Sequence, residues 1–467
     1  MSAQQSLMAR RHFLITSALV GTAGLIVPTG ARAGTAPPPS GAETIAPAPT
    51  TAASEAGLSS ATLIGTAATA QASGDTSIRP FHYRATNEEL ADLKRRIAAT
   101  RWPERETVND NTQGVQLATM QKLADYWANH HDWRRAEAQL FSYPNFITNI
   151  DGLDIHFIHV KSKHPNALPM IITHGWPGSI IEQLKVIGPL TDPTAHGGTA
   201  ADAFDVVIPS LPGYGFSGKT TSPGWVVPRI ARAWDVLMKR LGYTRYVAQG
   251  GDWGNAISEV MALQQPPGLL AIHTNMSATL PEAIRKALPA GPPPPNLSAE
   301  EQHAWNQLTN FYVNGLGYAI EMNQRPQTLY GLADSPIGLA AWMLDHDIQS
   351  YDLIARVFDG AQEGLTRDDI LDNVTLYWLT NTAVSSARLY WEMRNSKAGF
   401  FDPRGVPLPT GVSAFRYEIY QAPESWARAA YPHLVFYRVH DKGTHFAAWE
   451  QPQLLTEDLR ETFRSAR

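Results

Sequence analysis

The sequence predicts an α/β fold: a doubly wound, mostly parallel sheet with a large helical insertion near its end. Three observations predict it. Short apolar segments alternate with helical patterns through "LPMIITHGW", "FDVVIPSLPG", "RYVAQGG" and "LLAIHTN", and the alternation resumes late with "LVFYRVHD". Strand–helix alternation of this kind builds parallel sheets. Between about residues 277 and 402 it gives way to a helical, aromatic-rich block that includes Trp305, Tyr318, Trp342 and Tyr351. Finally, "GGDWG" at 250–254 gathers small residues around one aspartate where an apolar strand passes into a helical pattern.

In chain order, residues 1–33 read as a twin-arginine export signal. Arg10-Arg11 and Phe13-Leu14 precede an apolar run to about Val27, and Ala31-Arg32-Ala33 forms a small-x-small cleavage pattern. The run is short for a bilayer span, which takes roughly 20 residues, so no stable membrane insertion is expected and the destination is periplasmic or extracellular. Residues 34–77 are Ala, Thr, Ser, Pro and Gly with almost no aromatics. Such a stretch buries too little apolar surface to offset its ordering entropy and reads as a disordered linker. Residues 78–150 begin with a helix announced by Thr86, Glu88 and Glu89, striped by Leu90, Leu93 and Ile97 and stopped by Trp102-Pro103. A second helix is expected over about Leu117–His130. A hairpin turning at Asp151-Gly152 follows, with Ile155, Phe157 and His159 alternating against Ile158 and Val160. The first part of the sheet occupies 151–276, with helices over Ile230–Leu241 and Asn255–Leu263. The helical block occupies 277–402, where it would lie over the carboxyl ends of the strands as a lid, and the last strands occupy 403–467.

The 467 residues are 43% hydrophobic and 17% charged, with a formal net charge of -5. That composition buries a sizeable core. With no long Lys/Arg runs it argues against a nucleic-acid partner. There are no cysteines, which excludes disulfides, thiol catalysis and thiolate metal sites.

The chemistry-bearing residues follow the strands. "THGWPGS" at 173–179 succeeds Met170-Ile171-Ile172, and its loop can turn amides into a cavity; with the residue after a sharp strand–helix turn it supplies an oxyanion hole, here the backbones of Trp176 and Trp253. Asp252 occupies the tip, where many hydrolases carry serine. A carboxylate, with a reference pKa of about 3.9, needs no base to become a nucleophile, but it is weak and demands a reactive electrophile. A strained-ring sp³ carbon or one with a good leaving group would serve. The alternative is an aspartate capping a helix that starts near Asn255. An ester on Asp252 needs a base for its hydrolysis, and His445 in "DKGTHFAAWEQP" comes after the last strand, with Gly443 freeing the loop. Its acid partner should follow the preceding strand, "VSAFRYEIY". Glu418 is favoured there over Glu424, Asp402 and Asp441.

Taken together, "RPFHYRATNEELADLKRRIAATRWP", "HGWPGS", "GGDWG", "DSPIGLAAWMLD", "LYWLTNTAVSSARLYWE" and "GTHFAAWEQPQLL" resemble the epoxide hydrolases of the α/β-hydrolase superfamily, of microsomal and juvenile-hormone type. The resemblance runs from about residue 78 to the C-terminus. It implies an α/β-hydrolase fold with a helical lid, and an N-terminal segment that forms a wrapping meander. It also implies Asp252 as nucleophile, Glu418 and His445 as charge pair, and two lid tyrosines on the epoxide oxygen, Tyr318 in "GLGYAIEMNQRP", with Tyr312 and Tyr330 nearby as competitors, and Tyr390 in "SARLYWEM". The implied partners are a small hydrophobic epoxide and water, with no metal or cofactor, and the implied role is disposal of xenobiotic epoxides. The export signal and linker depart from the membrane anchor of the microsomal enzymes. A haloalkane dehalogenase, which also uses an Asp elbow and for which Trp253 could offer an indole N–H to halide, is the nearest alternative. A non-catalytic protein on the same scaffold would have a broken triad, and a serine esterase is disfavoured because position 252 is not serine.

Overall fold

The computed structural model describes residues 75–467, apart from 278, 289–290, 395, 397–399 and 402–403. The export signal, nearly all of the linker and the alternative acid Asp402 lie outside the described residues. Nine strands form one sheet in the order β1-β2-β3-β5-β4-β6-β7-β8-β9. They are β1 (Arg79–Pro80), β2 (Asn145–Ile150), β3 (Leu153–Val160), β4 (Leu168–Thr173), β5 (Phe204–Pro209), β6 (Tyr246–Gly250), β7 (Leu269–Thr274), β8 (Thr410–Phe415) and β9 (Leu434–His440). Pairing is antiparallel from β1 to β5 and parallel across β5, β4, β6, β7, β8 and β9.

The β2–β3 hairpin turns at Asp151 and Gly152, both with positive φ (53° and 84°), the geometry whose twist matches paired strands. Both faces of β3 are covered: its residues from Leu153 to His159 are all buried, and Phe81 and Phe216 cover His156, with ring centroids 4.9 and 5.2 Å away.

The first helix, Asn87–Ala98, is closed by a reciprocal capping box between Thr86 and Glu89 and buries Leu93 and Ile97. It ends before the expected stop at Trp102-Pro103. Leu117–Asn129 follows, and then a helix missing from the sequence reading, Trp133–Leu140, whose N-cap Asp132 accepts from the Arg134 amide. These helices fasten to the helical block between β7 and β8. The Trp127 indole N–H donates to Thr375 Oγ1 (2.9 Å) and Asn111 Nδ2 donates to Asp352 (2.6 Å). The Gln116 amide donates to the Tyr351 hydroxyl (2.8 Å), and Arg135 and His131 share the buried Asp372 carboxylate.

The helix expected over Ile230–Leu241 spans Val227–Arg240, and the one expected from Asn255 starts at Asp252 and runs to Gln264. At that β6–helix junction the small residues permit a tight turn and the strain falls on its tip residue. Gly250, Gly251 and Gly254 are not in the positive-φ region; Asp252 is, at 50°. The glycines are there because nothing larger fits. A Cβ on Gly250 would lie 2.1 Å from the Gly254 carbonyl carbon, and one on Gly254 would lie 1.9 Å from the Thr173 carbonyl oxygen. The neighbouring backbones therefore touch, and Asp252 carries the left-handed conformation a non-glycine residue rarely adopts. Gly254→Ala should cost about 3 kcal/mol or more of stability by forcing the start of this helix away from β4, measured by denaturant titration with circular dichroism.

Candidate active site

Parallel strands end at one edge of a sheet, so the loops after β4, β6, β8 and β9 converge there. The β6 loop presents Asp252. Its helix is capped by the Gly251 position with no side-chain cap bond, so the carboxylate is not used as a helix cap, contrary to the alternative weighed above. Instead Asp252 Oδ1 accepts from the backbone N–H of Trp176 in the β4 loop at 2.8 Å. Gly175 permits this approach, since a Cβ there would sit 2.1 Å from Oδ1. Trp253, the other expected amide donor, is in the first turn of the helix, its indole edge-on to Tyr390 (4.8 Å, 86°).

The β9 loop presents His445. Gly443 has φ 94°, which frees this turn as expected, and the Thr444 amide and hydroxyl both bond to buried Glu450. His445 Nδ1 is 2.6 Å from Glu418 Oε1, and Nε2 faces Asp252 Oδ2 at 3.8 Å. Glu418, in the loop after β8, is buried and also accepts from the Ile419 amide at 2.8 Å. Of the other candidate acids, Glu424 pairs with Arg428 on the surface and Asp441 is exposed; neither reaches the ring. Burial alone would lower the His445 pKa. The Glu418 charge and hydrogen bond, then Asp252 and Asp347, outweigh it and raise the value to about 10.

The helical block contributes both tyrosines. Tyr318, on Gly317–Gln324, stacks on the Trp176 ring (4.8 Å, 16°), and Tyr390, on Ala383–Met393, stands edge-on to both Trp176 (6.1 Å) and Tyr318 (6.1 Å). Tyr312 packs instead against Phe401 in a separate apolar cluster, and Tyr330 is 68% exposed. Burial raises both phenols well above their ordinary value. Next in size is the Asp252 charge for Tyr318, and the Tyr318 and Asp252 charges for Tyr390. Both are therefore hydrogen-bond donors throughout the neutral range. The block is tied to the β4 loop by Asn373 Nδ2 on the Pro177 carbonyl (2.8 Å) and the Tyr377 hydroxyl on the Gly178 carbonyl (2.7 Å).

Two further groups border the site and were not singled out from the sequence. Glu182, shortly after "HGWPGS", is buried, which raises its carboxyl to about 8. His346 lies against His445, ring centroids 4.4 Å apart, and bonds Asp347 through Nδ1 at 2.9 Å. The signal for this pair was a histidine directly before a helix-capping aspartate, at the end of the apolar helix Pro336–Leu344. One atom each from Asp252, His346 and His445 lie within 4.8 Å of one another, and these residues form the cluster with metal-ligand spacing among the described residues. An ion held there would occupy the Asp252 carboxylate.

Residues 78–183 match the family described as epoxide hydrolase N terminus, and 169–313 match the alpha/beta hydrolase fold. A Stigmatella aurantiaca protein, provisionally named an epoxide hydrolase, is 51% identical over 394 residues, covering 84% of this chain and 86% of the relative. Epoxide hydrolase 1 of Oryctolagus cuniculus is 36% identical over 82% of this chain and 88% of its own length. Among solved structures, juvenile hormone epoxide hydrolase from Bombyx mori aligns with TM-score 0.73 at 32% identity, covering 84% of this chain and 95% of that one. Aspergillus niger epoxide hydrolase aligns with TM-score 0.71 at 31% identity, covering 84% and 97%. With this fold, this loop-edge site and relatives matched over most of their length, the chain belongs to the epoxide hydrolases of the α/β-hydrolase superfamily.

Proposed function

We propose that the protein converts small hydrophobic epoxides to vicinal diols through a covalent ester on Asp252. The observation that carries this reading is the pairing of the carboxylate with two buried phenols around the Trp176 ring. A carboxylate is a sufficient nucleophile only if the departing oxygen is stabilised as the ring opens, and two neutral O–H donors in a dry site do that. Asp252 Oδ2 attacks an epoxide carbon, the C–O bond breaks, and the oxygen takes a proton from Tyr318 or Tyr390. A halide needs no such proton, and the relatives are epoxide hydrolases, so the dehalogenase alternative is not favoured.

The second step turns on His445. In the free site its raised pKa keeps it protonated between Glu418 and Asp252. Esterification removes the Asp252 charge, one of those that raise this pKa after Glu418, so the imidazolium gives up its proton more readily, to the tyrosinate left by ring opening, and becomes a base for water. Attack on the ester carbonyl places negative charge on Oδ1, held by the Trp176 amide with that of Trp253 assisting. Loss of one such donor costs roughly 3–4 kcal/mol in comparable sites.

We further propose that residues 1–33 direct twin-arginine export, supported by the Arg10-Arg11 pair and the Ala31-Arg32-Ala33 pattern. No helix among the described residues is long and apolar enough to cross a membrane.

Asp252→Ala should abolish diol formation from styrene oxide, followed by chromatography; normal turnover in that variant would refute the scheme. His445→Gln should retain alkylation and accumulate the ester, seen as a substrate-sized mass increase on the Asp252 peptide. Tyr390→Phe and Tyr318→Phe should each slow alkylation by roughly 10²-fold. Because only neutral His445 hydrolyses the ester, the hydrolysis rate should rise with pH to a plateau, and the esterified fraction in steady state should grow as pH falls; stopped-flow fluorescence reads both. Replacing Arg10 and Arg11 by Lys should leave the protein in the cytoplasmic fraction of a bacterial host.

A further inference from the structure

We propose that His346 is a second catalytic imidazole whose Nε2 accepts a hydrogen bond from the water that hydrolyses the Asp252 ester. This rests on the covalent reading above and adds a role to it. His346 is 1% exposed and lies between the two halves of the site: its ring is 4.4 Å from His445, 5.1 Å from Tyr318 and 5.8 Å from Trp176. Its orientation is fixed through Asp347. One oxygen of that carboxylate caps the helix Ile348–Phe358 by accepting the Ser350 amide at 2.8 Å, and the other receives His346 Nδ1–H at 2.9 Å. Ser350 in turn bonds Thr444, the neighbour of His445, so the two imidazole loops are tied together.

With Nδ1–H given to a carboxylate, Nε2 of the uncharged ring is an acceptor. It is buried and has no hydrogen-bond partner. Among the described residues one other buried imidazole nitrogen shares that condition, Nδ1 of His273 on β7, which lies in the sheet away from the site. An acceptor so enclosed needs a donor, since burial removes the solvent that would otherwise satisfy it. Ring nitrogens of His346 and His445 and an oxygen of Asp252 lie within 4.8 Å of one another, while His445 Nε2 and Asp252 Oδ2 are too far apart, at 3.8 Å, to bond directly. Atoms at that spacing leave one water within hydrogen-bond reach of all three, about 2.8 Å from each at the widest separation.

The chemistry gives that water two hydrogens to place. On attack its oxygen bonds to Cγ of the Asp252 ester, one proton passes to His445 Nε2, and the carbonyl electron pair moves to Oδ1 beside the Trp176 amide. The second hydrogen stays on the oxygen and points at His346 Nε2, which aims the lone pair at Cγ. Collapse then breaks the bond from Cγ to the alkyl oxygen and His445 returns its proton to the departing diol; the proton left on the new carboxylic acid passes to His445, which restores the Asp252 carboxylate and the imidazolium.

The test is a single-turnover experiment with styrene oxide on the full protein, following alkylation and ester hydrolysis separately by rapid quench and intact mass. His346→Phe should leave alkylation within about twofold of wild type and slow hydrolysis about 10²-fold, with ester accumulating. His346→Gln, whose amide oxygen can accept, should recover part of the loss. If His346→Phe does not fold, Asp347→Asn decides: it keeps an oxygen for Ser350 but offers an N–H to Nδ1, which turns Nε2 into a donor and should slow the same step. Hydrolysis at the wild-type rate in the folded variants overturns the proposal and leaves the covalent reading intact. An equal fall in both steps for Phe and Gln alike overturns it in favour of a packing role. Diol formation with no ester in wild type or His445→Gln overturns the covalent reading and this proposal with it.

Discussion

The absence of room for a single methyl group at the β6 elbow organises the site. Because Gly254 touches the Thr173 carbonyl, the start of the helix Asp252–Gln264 is seated against the carboxyl end of β4. Because Gly250 touches Gly254, the chain reverses immediately after the strand, and Asp252 takes up the strained conformation at the tip. Its carboxylate then has one place to go: against Gly175 and the Trp176 amide. Trp176 is in turn the surface on which both tyrosines pack. A steric limit in the backbone thereby sets the geometry of the phenols, although the tyrosines come from a different part of the chain.

Electrostatics complete what sterics begin. Asp252, Glu418 and Asp347 act on one imidazole, and their summed field, working against desolvation, holds the proton on His445. Glu182 is also buried nearby, but it avoids adding a further full charge because burial lifts its carboxyl to about 8. The arrangement depends on charge state, and the proposed chemistry changes that state by one unit at Asp252. Preorganised groups of this kind need not reorganise during the reaction; the field around them changes instead.

The sheet was legible because its parallel strands are apolar runs separated by amphipathic helices, and the positions of Asp252, Glu418 and His445 followed from strand order. What sequence could not convey was contact. "GGDWG" announces a tight turn with strain at its tip, yet nothing in the letters says which neighbouring backbones its glycines allow to touch. Tyr318 could be separated from Tyr312 and Tyr330 only by family motif, because all three sit in helical, aromatic surroundings; their burial and ring partners come from tertiary packing. His346 was hidden for a similar reason. Its ligation to Asp347 is local, but its approach to His445 joins segments about a hundred residues apart, a relation no periodicity records.

The bonds from the first helices to the helical block bear on how the chain acquires its fold. Trp127 finds Thr375, 248 residues later, and Asn111 finds Asp352, 241 residues later. Closing loops of that length is entropically unfavourable until the distant partners are already ordered, so contacts of this range form late. The helices between Asn87 and Leu140 thus cannot complete their contacts before the partners at Asp352 and Thr375 exist, and a nascent chain cannot finish that layer until most of the protein has been made. A secretory route that threads an unfolded chain would hold those partners apart during passage. One that carries finished cargo, as the twin-arginine pair at the start of the sequence proposes, lets them meet first.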